Sequence, residues 1–190
     1  MSFTLRTLRP NEHAEVAELI CSSMNTWDIL HGSAPGRFSG GPPQTALFPL
    51  VYEQLDPGMC VVAEAPNGRL AGSCFYRERE THVALGIMNV APNYFGRGAA
   101  RQLLDHVVSF EESTGKPLRL VASVMDLDSF SLYTRAGFVP RLVYQDFVLQ
   151  VPPAGLDDPI PGADRIRPAT ADDVEAIAEL ELSGISRRKD

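Results

Sequence analysis

The chain has 190 residues, with 17 basic against 24 acidic side chains and a formal net charge of −7. That length suits one domain, or one plus a fragment, and is enough to bury a core without disulfide or metal staples. The acidic balance argues against nucleic-acid binding through bulk positive charge, no apolar run reaches the ~18 residues of a membrane span, and Cys21, Cys60 and Cys74 fit neither a disulfide framework nor a CxxC metal site.

Residues 3–8 alternate apolar and polar side chains and predict a short strand. Asn11 is placed to cap a helix whose Val16, Leu19 and Ile20 share one face. Residues 25–46 are rich in Gly and Pro and read as a long irregular loop, of the kind that often carries function. Residues 47–55 predict a helix stopped by Asp56-Pro57-Gly58. Strands are expected at 59–65 and 70–76, joined by the turn Pro66-Asn67-Gly68-Arg69. A further strand covers 81–90, where Gly86 marks either a bulge or a close backbone approach. From Gly98 to near Gly115, Ala99, Leu103, Leu104, Val107 and Val108 recur at helical spacing. Residues 117–125 predict another strand, 128–136 a short helix closed by Gly137, and 143–149 a last strand. The order is that of a mixed α/β domain in which an antiparallel meander joins a crossover unit.

Residues 151–162 (VPPAGLDDPIPG) hold four prolines and cannot continue a helix or a central strand. The expected division is therefore a first domain at 1–150, a linker at 151–163 and a further segment at 164–190. Residues 5–19 align without gaps on 166–180, with Arg, Ala, Glu and Leu in common. Two amphipathic helices resemble each other by chance; alternatively, Arg165 opens a second copy of the same fold. In the second case residues 172–183 form a helix with Val174, Ile177 and Ala178 on one stripe.

The richest stretch is 90–104 (VAPNYFGRGAARQLL). A strand ends at Val90, Pro92 stops the ladder, Gly96 and Gly98 allow a tight turn, and a helix follows at once. Such a junction aims free N–H groups at one point, at the positive end of a helix dipole. It suits a pyrophosphate, with Arg97 and Arg101 adding charge; an ordinary strand-to-helix turn is the alternative. Neither the Walker loop nor GxGxxG is present.

Val90, Pro92, Gly98 and Ala100 resemble the acetyl-CoA motif of the GNAT superfamily of N-acyltransferases, with Phe95 where that family has Gln or Arg. Downstream, 126–138 (DLDSFSLYTRAGF) is similar to a second motif of the family. Leu132, Tyr133, Gly137 and Phe138 match, Asp126 replaces Asn, and Ser129 replaces Ala. The resemblance implies a mixed, mostly antiparallel sheet in which the strands at 81–90 and 117–125 splay into a slot for the pantetheine arm. It implies acetyl-CoA as cosubstrate and no metal. The cofactor contacts would come from Asn89, Val90, Phe95, Gly96, Arg97, Gly98, Ala99, Ala100, Arg101, Asp126 and Ser129. Tyr133 would be the general acid, with His82, Glu80 or a water relay as base. The acceptor, a small-molecule or peptide amine, would meet Trp27, His31 and Phe38. A monomer or homodimer in the cytoplasm is expected, with no nucleic-acid or membrane partner. Two other outcomes are compatible with these residues: a CoA-binding domain without turnover, and transfer of a longer acyl group. Read as a whole, the chain resembles a tandem protein of this family that stops early in its second domain.

Overall fold

The computed structural model describes residues 2–32, 36–145, 147, 149–155 and 161–180. The chain divides into two compact units, 1–137 and 138–190. The division falls after Gly137, earlier than the change of composition at Val151.

In the first unit one sheet runs in the order β1 (Thr4–Thr7), β2 (Cys60–Glu64), β3 (Leu70–Glu78), β4 (Val83–Val90) and β5 (Leu118–Arg119). β1 to β4 pair antiparallel and β5 joins β4 in parallel, so the expected mixed, mostly antiparallel sheet is present. Helices α1 (His13–Leu30) and α2 (Leu47–Leu55) cover one face, and α3 (Ala99–Thr114) the other. The period-2 alternation of β3 fixes this division. Phe75 stacks on Tyr52 of α2 at 5.0 Å, while Tyr76 meets Phe110 of α3 at the same distance. Val16, Leu19 and Ile20 of α1 pack with Cys60, Val62 and Phe75 in one buried cluster. Each fully buried aliphatic side chain there contributes about 1.5–3 kcal/mol.

The structure corrects two expectations at α1. A 3-10 turn at Pro10–Glu12 precedes it, and Glu12 rather than Asn11 closes that turn, accepting the Arg9 N–H at 2.9 Å and two bonds from Arg6. The helix also runs on to Leu30, so residues 25–30 are its last turns and not loop. Ser33, Ala34 and Pro35 of the expected loop lie outside the described residues. α2 spans the nine residues expected of it.

Between Cys74 and Tyr76 of β3 lies one residue; between their partners Met88 and Leu85 on β4 lie two. β4 therefore carries a bulge at Gly86-Ile87, opposite Phe75. A Cβ on Gly86 would stand 3.0 Å from the Phe75 carbonyl oxygen. Both readings of this glycine, bulge and close approach, therefore hold.

Two predicted strands are corrected, and so is the opening strand that a second copy of the fold implies. The strand at 117–125 keeps a ladder only at Leu118–Arg119, because β4 offers two rungs ahead of its bulge and 120–125 have no ladder partner among the described residues. Among the described residues of 143–149 there is no strand; a β-prone sequence without a ladder partner does not hold one. Asp146 and Val148 lie outside the described residues. In the second unit, 166–170 form no strand either. A 3-10 turn at Ala171–Asp173 leads into α5 (Val174–Leu180), with Val174, Ile177 and Leu180 exposed. The remainder of the expected helix, and all of 181–190, lie outside the described residues, as do 156–160 of the linker.

Candidate functional site

β4 and β5 share only the rungs Val83↔Leu118 and Ala84↔Arg119, extended backwards by a bond from Val83 N–H to Pro117 O at 3.0 Å. Beyond Ala84, next to the Gly86 bulge, the ladder ends, and the edge of β4 from Leu85 to Val90 has no strand partner among the described residues where the slot is expected. The Ala91 N–H donates to Ala71 O at 2.8 Å. In an antiparallel ladder the bonded pairs alternate, so the peptide groups of Asn89 face Ser73 of β3, whereas those of Met88 and Val90 face the slot. Of the two expected backbone partners, Val90 has this position. Asn89 has its main chain in the ladder, and Met88 takes the other slot-facing place.

The slot leads to the β4–α3 junction. A 3-10 turn at Pro92–Tyr94 is followed by Gly96 at φ +69° and Gly98 at φ +87°. α3 has no side-chain cap, and its first amide bonded back to the turn is Gln102, which donates to Gly98 O. The N–H groups of Ala99, Ala100 and Arg101 thus point out of the helix end, as the first turn of any helix leaves them. The Arg97 amide does not join them, since it donates to Tyr94 O at 3.2 Å. Phe95, Gly96, Arg97 and Gly98 are exposed. The charge of Arg101 is partly taken up by Asp105, 2.7 Å away.

Asp126 caps α4 (Leu127–Arg135), accepting from Ser129 N at 3.0 Å and from Ser129 Oγ at 2.7 Å. The two substitutions in the second motif therefore compensate one another as a helix cap, a local role for both side chains. Tyr133 lies further along α4, half-buried. Burial pushes its hydroxyl up to about 12, with smaller contributions from Cys74 and Asp126. An ordinary phenol near ~10 is thus not what this site holds: the group stays protonated throughout the neutral range.

His82 and Glu80 precede the Val83↔Leu118 rung, so both stand behind the closed end of the slot. Thr81 Oγ1 lies 3.1 Å from His82 Nδ1. Burial, then Arg119 and Arg79, lower the His82 pKa. A histidine pKa lower in the folded than in the unfolded chain makes the unfolded state bind more protons in the window between the two values. Stability is therefore complete above the unfolded value near ~6.5 and declines as pH falls through it. His82→Gln is expected to narrow the difference in urea midpoint between pH 7.5 and pH 5.5; an unchanged difference would contradict this.

The expected acceptor residues gather at the end of α1. Trp27 and His31 stack at 4.0 Å, with His31 Nδ1 2.8 Å from Trp27 O. The loop bearing Arg37 and Phe38 is held by two residues that the sequence reading passed over. Asn25 accepts from Phe38 N at 2.9 Å and donates to Phe38 O at 3.0 Å. Asp28 accepts from Arg37 N, Nε and Nη2 at 2.6–3.0 Å. These bonds from Arg37 keep the buried Asp28 carboxyl below its usual range. The only available signal was the i, i+3 spacing of Asn25 and Asp28, which places both on one helix face. Among the described residues no cluster of three metal-ligating side chains occurs, and no helix is long and apolar enough to cross a membrane.

Residues 56–140 match the family model of the acetyltransferase (GNAT) domain. No curated protein matches the chain by sequence. Among solved structures, a candidate acetyltransferase of Pyrococcus horikoshii superposes with a TM-score of 0.61 at 17% identity, over 74% of this chain and 44% of that one. The chain thus spans less than half the length of that protein. A Corynebacterium glutamicum structure, described as histone acetyltransferase HPA2 and related acetyltransferase, gives 0.59 at 19% identity over 77% and 90%. The NatC complex bound to Gag peptide and CoA gives 0.55 at 16% over 75% and 87%. At these identities the likeness is one of fold.

Proposed function

We propose, for a chain that carries a GNAT acetyltransferase domain, that it transfers an acetyl group from acetyl-CoA to a primary amine. The observation that carries this reading is that one strand joins the two features a cosubstrate site would need. The ladder of β4 with β5 ends next to its bulge, and β4 ends at the turn that leads into the uncapped first turn of α3. The amides of Ala99, Ala100 and Arg101 suit the pyrophosphate of CoA, since they are donors at a helix N-terminus and the turn before them is exposed. The peptide groups of Met88 and Val90 suit the pantetheine arm, which would bond them as a strand does.

When bound, acetyl-CoA supplies a thioester carbonyl open to attack by an amine. The protein's part is to hold and polarise that carbonyl, to take a proton from the amine and to give one to the departing sulfur. Slot-facing N–H groups of β4 polarise. Tyr133, half-buried and protonated, donates to sulfur. Trp27, His31 and Phe38, on the side of α1, border the approach of the amine. Glu80 and His82 lie behind the closed end, so a proton reaches either of them through water rather than directly.

Phe95, exposed where the family has Gln or Arg, favours a second reading in which CoA binds without turnover. Release of free CoA thiol, measured with acetyl-CoA and spermidine, benzylamine, glycine ethyl ester or lysine, separates the two. Amine-dependent release supports transfer, and saturable binding without release supports the second reading. The segment from Arg165, with the capping box of the 3-10 turn that leads into α5, we read as the opening of a second domain of the same kind.

A further inference from the structure

The α1-facing side of β4 holds a set of polar atoms that the reading above does not use. Asn89 and Ser73 are cross-strand partners, so their side chains stand next to each other on one face. Both residues are more than nine-tenths buried, and neither Asn89 Oδ1 nor Ser73 Oγ has a hydrogen-bond partner. Asn89 Nδ2 donates to Ser23 Oγ of α1 at 3.3 Å, and Oδ1 is the end left without a partner. Trp27, one turn beyond Ser23 on the same stripe of α1, has a buried Nε1 that is also unpartnered. Buried polar groups are nearly always satisfied, and here an acceptor, a hydroxyl and a donor are left open together. Met88 and Val90, the slot-facing residues, flank Asn89 on the strand.

We propose that Asn89, with Ser73, is the positioning residue for the acceptor amine, and that it selects the unprotonated form. This rests on the acetyl-transfer reading. An unprotonated primary amine has two N–H bonds and one lone pair. Its two hydrogens pair with Asn89 Oδ1 and Ser73 Oγ, and the lone pair stays free for attack. An ammonium in the same place would keep a third N–H without a partner in a buried site, which disfavours the charged form. A neutral amide oxygen suits this task, whereas a carboxylate at the same point would hold the ammonium and suppress the nucleophile. Trp27 Nε1 is left to donate to an oxygen elsewhere on the acceptor.

The test uses the whole chain, saturating acetyl-CoA, and whichever amine of the panel above turns over fastest. In Asn89→Asp the ascending limb of kcat, measured at saturating amine, should move about one pH unit upward, because the carboxylate stabilises the bound ammonium. In Asn89→Leu, kcat/KM for the amine should fall at least ~10-fold, with acetyl-CoA affinity within about twofold of the parent. A superimposable pH profile in Asn89→Asp, an equal loss of acetyl-CoA affinity in Asn89→Leu, or a lowered Tm with full activity would overturn the proposal. If the parent chain binds acetyl-CoA but turns over no amine, the acetyl-transfer reading fails. The socket is then judged by whether spermidine raises the Tm of the CoA complex in the parent and not in Asn89→Leu; a rise equal in both, or none in either, rejects it.

Discussion

Tyr133→Phe is expected to lower kcat by about 10²–10⁴-fold, the usual contribution of a general acid, while acetyl-CoA affinity stays within about twofold, since one hydroxyl is removed from a ring that keeps its packing. The hydroxyl is held near 12 by burial. Complete transfer of its proton to a free thiolate near ~8.5 would be uphill by about 5 kcal/mol. Its contribution is therefore largest as a donor to sulfur while the carbon–sulfur bond is breaking, when the charge is still forming and the surroundings are dry. The alkaline side of the kcat profile follows from the same property. Deprotonation of Tyr133 should not reduce kcat below pH ~10, because its pKa lies well above that of an ordinary phenol. Steady-state kinetics of the variant, together with a calorimetric titration of acetyl-CoA, check both statements. A parallel fall in affinity and rate would assign Tyr133 to packing against the cosubstrate alone.

Gly98→Val should abolish most acetyl-CoA binding, by at least ~10-fold, at a backbone cost of about 1–2 kcal/mol. Gly98 sits at φ +87° immediately before α3, and a Cβ there would touch nothing within 4 Å. The whole effect is therefore conformational. A β-branched residue leaves the left-handed region, and the N–H groups of Ala99, Ala100 and Arg101 turn with it. Gly115, at φ +66° at the other end of the same helix, is equally open. Gly115→Val thus carries a comparable strain with no cradle attached. Both variants should lose similar Tm, and only Gly98→Val should lose affinity. Equal affinities in the two would show that the cradle does not depend on the backbone at Gly98.

What was legible in the sequence follows from how local each signal is. α2 and α3 could be placed because apolar spacing and glycine stops lie within the segments themselves. Gly86 could be suspected because a glycine inside a strand needs a reason, although only the register with Phe75 shows that both candidate reasons apply. The last turns of α1 were not legible. Beyond Met24 the helix carries Asn25, Trp27 and Asp28, polar or bulky residues that resemble a loop until their bonds to Phe38 and Arg37 are seen. β5 was overestimated for the opposite reason. Residues 117–125 have the composition of a strand, but a strand exists only where a neighbour offers a ladder, and β4 offers two rungs. The site divides in the same way. Gly96 to Arg101 could be read from order along the chain, although Arg97 gives its amide to Tyr94. The pairing of Asn89 with Ser73, and the place of Glu80 and His82 behind the closed end, depend on register, which no single segment encodes.

The central claim is that the chain binds acetyl-CoA through the β4–α3 junction. The direct measurement is a calorimetric titration of the purified chain with acetyl-CoA, and with acetyl-pantetheine, which lacks the pyrophosphate. Saturable binding of acetyl-CoA, at least ~10-fold tighter than that of acetyl-pantetheine, is predicted, because uncapped amides at a helix N-terminus favour phosphates. Equal affinity for the two compounds, or no heat with acetyl-CoA, would contradict the assignment of that junction as a cosubstrate cradle.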